Sequence, residues 1–302
     1  MPSLLEIRKK IGGVKNTRKI TKAMQLVAAS KMRHFQKKAV SSRQYVWDLL
    51  GILESNLDGS DLGPYTEPRE TGKTLFVLYT SDKGLCGPLN NKLLNGLFRS
   101  GEWRKTPAED RLLITIGKKS SDYAKSNKIP TIKHFTGLPE KMSNLDSIRI
   151  VDAILELWNN ENGEGAKVKT VMIVAPHYKS SFVFYPVMKT FLPFTIETIK
   201  TAFGHLEEHE KPKSQHDENR SMLFEPSEGE VLKRLYEQLI QAMFLESFLE
   251  LKASEYSSRM IAMQNATDSA DRITHELTLD YNKARQAVIT REIAELMGGA
   301  AA

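Results

Sequence analysis

His205 and His209 stand one helical turn apart in His205-Leu206-Glu207-Glu208-His209, a spacing that lets two imidazoles share one cation. Zinc-dependent hydrolysis of that type needs a glutamate directly after the first histidine, and here Leu206 holds that position in a polar run that reads as a loop. The adjacent carboxylates Glu207 and Glu208 have no apolar neighbours to split their acidities, as general acid–base chemistry requires. Cys86 lies in Ser81-Asp82-Lys83-Gly84-Leu85-Cys86-Gly87, where Lys83 could favour a thiolate, but no nearby histidine offers a base and the residue reads as a packed thiol. The same run links a strand to a helix, the place where doubly wound folds bind phosphate. Only Gly84 and Gly87 fall in the turn, short of a dinucleotide fingerprint. Gly117-Lys118-Lys119-Ser120 resembles the end of a phosphate loop, yet Leu112 stands where the first glycine belongs and Lys119 where the serine or threonine belongs. None of these residues reads as a catalytic centre, and neither a cofactor nor a metal is expected.

The elements that would have to position such residues are unusual at both ends of the chain. From Ser3 to about Leu57, Ile7, Ile11, Val14, Thr17, Ile20, Met24 and Val27 recur at steps of three and four, and no Gly or Pro falls between Gly13 and Gly51. That predicts one helix roughly 80 Å long. From Glu230 to Met297 there is again no Gly or Pro, and a seven-residue repeat places Leu249, Tyr256, Met263, Ala270, Leu277 and Ala284 at one position. Ala253, Met260, Thr267, Thr274, Tyr281 and Val288 take the second position, a seam of small and soft side chains on a helix roughly 100 Å long. Neither helix can bury its stripe alone. Between Met1 and Arg43 twelve basic residues face one acidic residue, whereas eleven acidic and eight basic residues follow from Glu230 onward. Opposite local charge favours pairing the two, so an antiparallel coiled coil of the chain ends is expected.

Between them the period changes. Thr74–Thr80, Leu112–Gly117, Thr170–Ala175 and Phe182–Val187 are short β-branched and aromatic runs, separated by helical patterns at Leu89–Arg99, Ser120–Ser126 and Ser147–Asn159. Alternation of this kind predicts an α/β layer with a mostly parallel, Rossmann-like sheet. The expected organisation is a coiled-coil helix over 1–57, a central α/β domain over 70–200, a polar linker over 201–229 and a second coiled-coil helix over 230–302. The 302 residues carry a net charge of +6 and a single cysteine, which excludes an intrachain disulfide and fits a reducing compartment. The first residues contain no apolar stretch of the secretory kind, and no run reaches the roughly 18 to 20 apolar residues that cross a bilayer. Neither secretion nor direct membrane insertion is expected.

Lys19-Ile20-Thr21-Lys22-Ala23-Met24-Gln25-Leu26-Val27-Ala28-Ala29-Ser30-Lys31-Met32 closely resembles the N-terminal signature of the gamma subunits of F-type ATP synthases. The Ser81–Gly87 turn resembles that family's Ser-Asp-Arg/Lys-Gly-Leu-Cys-Gly. Ser258–Asp268 (SRMIAMQNATD) and Tyr281–Glu292 (YNKARQAVITRE) are similar to its C-terminal helix. The likeness spans the chain in the family's order. It implies a non-catalytic rotor shaft, turning inside a threefold ring of alpha and beta subunits and coupling proton flow through a membrane c-ring to ATP synthesis or hydrolysis. The epsilon subunit is the further implied partner, and the location implied is peripheral, on the cytoplasmic face of a bacterial inner membrane. Arg8, Lys9, Lys15, Arg18, Lys22 and Lys31 are then guides toward an acidic lever loop of the ring, with Met24 beside them. Arg285, Gln286 and Thr290 supply polar catch contacts, Lys83 a basic contact, and the tail after Ile293 turns in an apolar bearing. Two departures stand out. A lone Cys86 cannot perform the plastid members' cysteine-pair switch, and Pro88-Leu89-Asn90-Asn91 replaces the Gly-Leu-Asn common after the glycine-rich turn.

Two other classes fit parts of the pattern. A basic helix could track nucleic acid, but Phe35, Tyr45 and Trp47 form no base-reading module, so no nucleic-acid partner is expected. An enzyme housed in the α/β layer would have to bind a nucleotide at the incomplete glycine turns.

Overall fold

Strand and helix form where the periodicities change. The computed structural model describes residues 3–54, 65–66, 68–140, 144–159, 167–194, 225 and 227–300. In chain order its elements are α1 (Leu4–Glu54), β1 (Lys73–Tyr79), α2 (Leu89–Phe98), α3 (Gly101–Lys105), β2 (Arg111–Ile116), α4 (Lys118–Ser126), β3 (Lys133–Phe135), α5 (Asn144–Asn159), β4 (Val168–Tyr178), β5 (Phe184–Leu192) and α6 (Glu228–Ala300). The chain divides into two compact units, Lys31–Ser258, and Met1–Ser30 with Arg259–Ala302. The histidine pair and the carboxylates at 205–209, with most of the polar stretch around them, lie outside the described residues.

In the larger unit the sheet runs β3-β2-β1-β4-β5. Strand β1 pairs in parallel with both β2 and β4, and β2 with β3. Strand β5 returns antiparallel to β4, as a hairpin whose turn occupies Ser180–Val183. Expected strand starts therefore shift there: Phe182 and Val183 are exposed turn residues, and the strand proper begins at Phe184. Central β1 is covered on both faces, which explains the unbroken apolar run Leu75-Phe76-Val77-Leu78-Tyr79, each residue fully buried. Strand β3 was not expected, because Lys133-His134-Phe135 has no β-branched run. It is an edge strand three residues long, held by pairing with β2.

Packing in this unit rests on aromatic contacts and a few close approaches. Helix α2 lies near β5 at Gly96, where an added Cβ would come within 2.8 Å of the Pro186 ring. The Trp158 ring is buried beneath the Arg69 guanidinium, 4.0 Å from its centroid, and Arg69 donates to the carbonyls of Trp158 and Val168, each at 2.7 Å. Tyr79 and Phe244 sit 5.5 Å apart and tie α6 to β1.

In the smaller unit the two terminal helices pair antiparallel. Arg18 meets Asp271, Thr21 meets Thr267 at 2.8 Å and Gln25 meets Gln264 at 3.5 Å, so the partner number falls as the α1 number rises. The N-terminal stripe differs from the expected one. Ile7 and Ala28 are buried with Thr21, and Ile11 and Val14 are half-buried, whereas Thr17, Ile20 and Val27 are exposed. The seam follows a strict seven-residue step, 7, 14, 21 and 28, onto whatever residue occupies each place. Hydrophobicity alone selects the wrong neighbours, because a two-helix seam is too narrow to bury a third residue per turn. On α6 the expected repeat holds through Met263, Thr267 and Ala270, loosens at Leu277, Tyr281 and Ala284, and ends with Val288 exposed. The register accounts for the last of these: α1 begins at Leu4, which lies opposite about residue 285 when the Arg18–Asp271 pairing is extended, so Val288 lies past its start.

Candidate functional site

The corner where a doubly wound fold would take a phosphate is closed by the chain itself. Gly117 has a φ of +95°, and an added Cβ would lie 2.1 Å from the Thr80 carbonyl oxygen, so only glycine makes this turn. Helix α4 starts directly after it. At its N-terminus the Lys118 amide donates to Asp82 Oδ1 at 2.9 Å, and the Gly137 amide donates to the same oxygen at 3.1 Å. A carboxylate of this chain thus occupies the place of an anion at the helix end. Ser120 is turned inward, within 2.9 Å of the Thr80 hydroxyl. In the preceding turn Cys86 is buried, its sulfur 3.1 Å from Asn90 Nδ2 and 3.6 Å from Ser81 Oγ, which makes it a packed thiol. Pro88 serves as the residue before α2, and Asn90 Oδ1 accepts the Ser81 amide at 3.0 Å, so the departure after the glycine turn still yields an ordered helix start. Among the described residues no cluster of His, Cys, Asp and Glu is arranged to hold a metal ion.

What remains is a surface. In the smaller unit Arg8, Lys9, Lys15 and Lys22 are exposed along α1, and Met24 is half-buried. Lys22 Nζ is 3.2 Å from Gln25 Oε1, an exposed contact within one helix. Arg18 is the exception among these cations, since its Nε is engaged by Asp271 across the seam. Arg285, Gln286 and Thr290 are exposed on α6 beyond the point opposite Leu4, together with Ile289, Ile293, Leu296 and Met297.

In the larger unit Lys31 is committed to Glu140 at 2.6 Å and lies 5.5 Å from the Tyr256 ring centroid. Tyr256 also donates its hydroxyl to Glu140. Partial burial would raise the Glu140 carboxyl, but the hydrogen bonds from Lys31 and Tyr256 outweigh it and hold the group below the ordinary carboxylate range. Lys83 is exposed on the glycine-rich turn. The structure therefore groups Arg8, Lys9, Lys15, Lys22 and Met24 on one helix, sets Arg285, Gln286 and Thr290 on the other, and leaves Lys31 and Lys83 in the other unit.

Sequence reasoning missed a buried charge cluster in the larger unit. Arg43 of α1, His177 of β4, Lys189 of β5 and Glu246 and Glu250 of α6 are all buried. Glu250 Oε1 is met by the Arg43 guanidinium and by His177 Nδ1 at 3.0 Å. Glu246 lies 3.7 Å from Lys189 Nζ and 3.9 Å from Arg43 Nε. Burial pushes Glu246 up to about 7, aided by the neighbouring Glu250 charge. Burial would also raise Glu250, but Lys189, the His177 hydrogen bond and Arg43 overcome it and hold the group at about 2. The available signal was Glu246 and Glu250 one turn apart in the apolar run from Ala242, on the same face as Ala242, Met243, Leu249 and Ala253, which are core.

The sequence profile of the ATP synthase family matches residues 3–302. The chain is 35% identical to the ATP synthase gamma chain of Synechococcus sp. (strain RCC307), covering 100% of this chain and 99% of the relative. It is 33% identical to that of Brevibacillus brevis, covering 98% and 96%. Among solved structures, a chain of the Euglena gracilis mitochondrial ATP synthase OSCP/F1/c-ring assembly superposes with a TM-score of 0.64 at 19% identity, covering 99% of this chain and 93% of that one. A chain of the Tetrahymena thermophila central stalk and c-ring gives 0.58 at 22% identity, covering 82% and 99%. With full-length relatives on one side and a shared sheet-and-helix-pair fold on the other, the chain belongs to the ATP synthase gamma-chain family, the non-catalytic rotor subunits of the F-type central stalk.

Proposed function

We propose that this chain is the rotor of its own F-type ATP synthase and turns within a ring of alpha and beta subunits. It would couple proton flow through a membrane c-ring to ATP synthesis or hydrolysis, with an epsilon subunit bound beside it. The segments 1–57 and 230–302 act as the shaft and 70–200 as the body, joined through 201–229. The observation that carries this reading is the apolar end of α6, exposed among the described residues. Ile289, Ile293, Leu296 and Met297 are exposed on a helix that continues past the start of its partner, which is costly in water unless an apolar sleeve covers it.

A turning surface must break its contacts at every step. Exposed ion pairs contribute about 0 to 1 kcal/mol each, weak enough to exchange, and the exposed cations Arg8, Lys9, Lys15 and Lys22 would make such contacts with an acidic loop. Arg18 and Lys31, already held by Asp271 and Glu140, would act as guides only by giving up those partners. Met24 accompanies the guides, Arg285, Gln286 and Thr290 form the polar catch, and Lys83 makes a basic contact from the glycine-rich turn. An asymmetric shaft presents a different face to each catalytic subunit, so its angle biases their states through differential contacts. Among the described residues no helix is long and apolar enough to cross a membrane, and attachment at the cytoplasmic face of a bacterial inner membrane would be through the c-ring. Mixing the chain with alpha and beta subunits should give a stable complex with ATPase activity that the chain alone lacks. Elution of free ring and free chain on size exclusion would refute the reading.

A further inference from the structure

In the buried cluster of Arg43, His177, Lys189, Glu246 and Glu250 the two carboxylates are treated differently. Glu250 receives two close donors, the Arg43 guanidinium and His177 Nδ1 at 3.0 Å. The contacts of Glu246 with Lys189 and Arg43, at 3.7 and 3.9 Å, are within ion-pair range but too long for hydrogen bonds. An ionised carboxylate removed from water is tolerated when closely hydrogen-bonded and is costly when compensated only at a distance. The groups facing the pair come from every element around it: Arg43 from α1, Tyr79 from β1, His177 from β4, and Lys189 from β5, with the Tyr185 ring 5.2 Å from the His177 ring. With both carboxylates ionised, two anions face Arg43 and Lys189. With Glu246 protonated, both cations share Glu250.

We propose that this cluster is a proton-responsive clasp fastening α1 and α6 to the β4–β5 hairpin, in which Glu250 is the permanent anchor and Glu246 is the group that takes up and releases the proton. The clasp holds α6 most firmly when Glu246 is neutral. The sign follows from linkage: Glu246 binds its proton more tightly folded than unfolded, so its contribution is present on the acid side and is lost as pH rises toward about 7. Glu250 works oppositely, adding stability above the ordinary carboxylate range and losing it only as pH falls toward about 2. Near neutral pH Glu246 alone of the two changes state. The inference concerns the isolated chain and does not depend on its assembly partners.

The test uses the full chain. Carbon-13 labelling of glutamate carboxyls, with the Glu246 signal assigned by its loss in Glu246→Asp, should show a titration midpoint near 7, and a midpoint in the ordinary carboxylate range would overturn the clasp. Glu246→Gln mimics the protonated form. Its urea midpoint should match the wild type below the ordinary carboxylate range, exceed it increasingly as pH rises from there to about 7, and keep a constant lead above that, and a gap independent of pH across this range would overturn the proposal. Should Glu246→Gln fail to fold, the carboxyl titration of the wild type decides by itself.

Discussion

Arginines 18 and 43 lie on the same helix and each meets a carboxylate of α6, but their surroundings differ. In the Arg18–Asp271 pair the side chains are 45% and 51% exposed; in the Arg43–Glu250 pair they are 10% and 1% exposed. Replacing Arg18 by Met removes an exposed contact that solvent and salt already screen, and should cost about 0 to 1 kcal/mol. Among the described residues, replacing Arg43 by Met leaves buried Glu250 beside one close donor, His177, and Glu246 with Lys189 as its ion-pair partner. Removing one partner of such a buried set costs about 3 to 5 kcal/mol. With a urea dependence of about 3 kcal/mol per molar, the midpoint should fall by about 1 to 1.7 M for Arg43→Met and by about 0.3 M or less for Arg18→Met. Combining Arg43→Met with Glu250→Leu should recover much of the loss, because the uncompensated charge is then gone. Equal losses for the two single variants, or a double variant weaker than the sum of its parts, would refute the argument that burial sets the worth of these pairs.

Gly117→Ala places a Cβ at a φ of +95° and 2.1 Å from the Thr80 oxygen, so a loss above about 3 kcal/mol in thermal unfolding is expected. Asp82→Ala strips the acceptor from the amides of Lys118 and Gly137 and should cost about 1 to 3 kcal/mol, measured by urea unfolding; isothermal titration of the wild type with ATP should show no heat of binding, and micromolar binding would reopen the nucleotide reading. In the assembled enzyme, replacing Arg285 and Gln286 together by Ala should lower ATP-driven proton pumping more than removing the last few residues does, and the reverse order would remove the catch from these positions.

The sheet was legible because its signals are local. Leu75–Tyr79 reads as a strand covered on both faces, and the Leu112–Gly117 run ends at the glycine that closes β2. Strand β3 was not legible, since three residues of Lys-His-Phe gain their conformation from the pairing edge of β2 and not from their own preference. The seam of α6 was readable through Ala270 because seven-residue spacing persists whatever the residue. On α1 the same spacing runs through Thr21 and past Arg18 and Gln25, and the more hydrophobic Ile20 and Val27 drew the eye to an exposed face.

That misreading and the missed charge cluster share a cause. A helix in water reveals its buried face by hydrophobicity only when burial and polarity are opposed, and in this chain they are not. Thr21 and Thr267 satisfy each other across the seam at 2.8 Å, so a polar pair is buried at little cost while Ile20 is left outside. Arg43 and Glu250 likewise satisfy one another across helices far apart in sequence. Each is a poor core residue alone and becomes a tolerable one through partners that no single segment contains. The exposed apolar residues carry the complementary message: Ile289, Ile293, Leu296 and Met297 lie past the start of α1, and none of them is buried by the described residues. If another molecule covers them, a chain truncated before Ile289 should stay folded and lose solution self-association while the intact chain aggregates in isolation. Light scattering of the two at equal concentration would decide it, and indistinguishable scattering would mean that these side chains find cover without a sleeve.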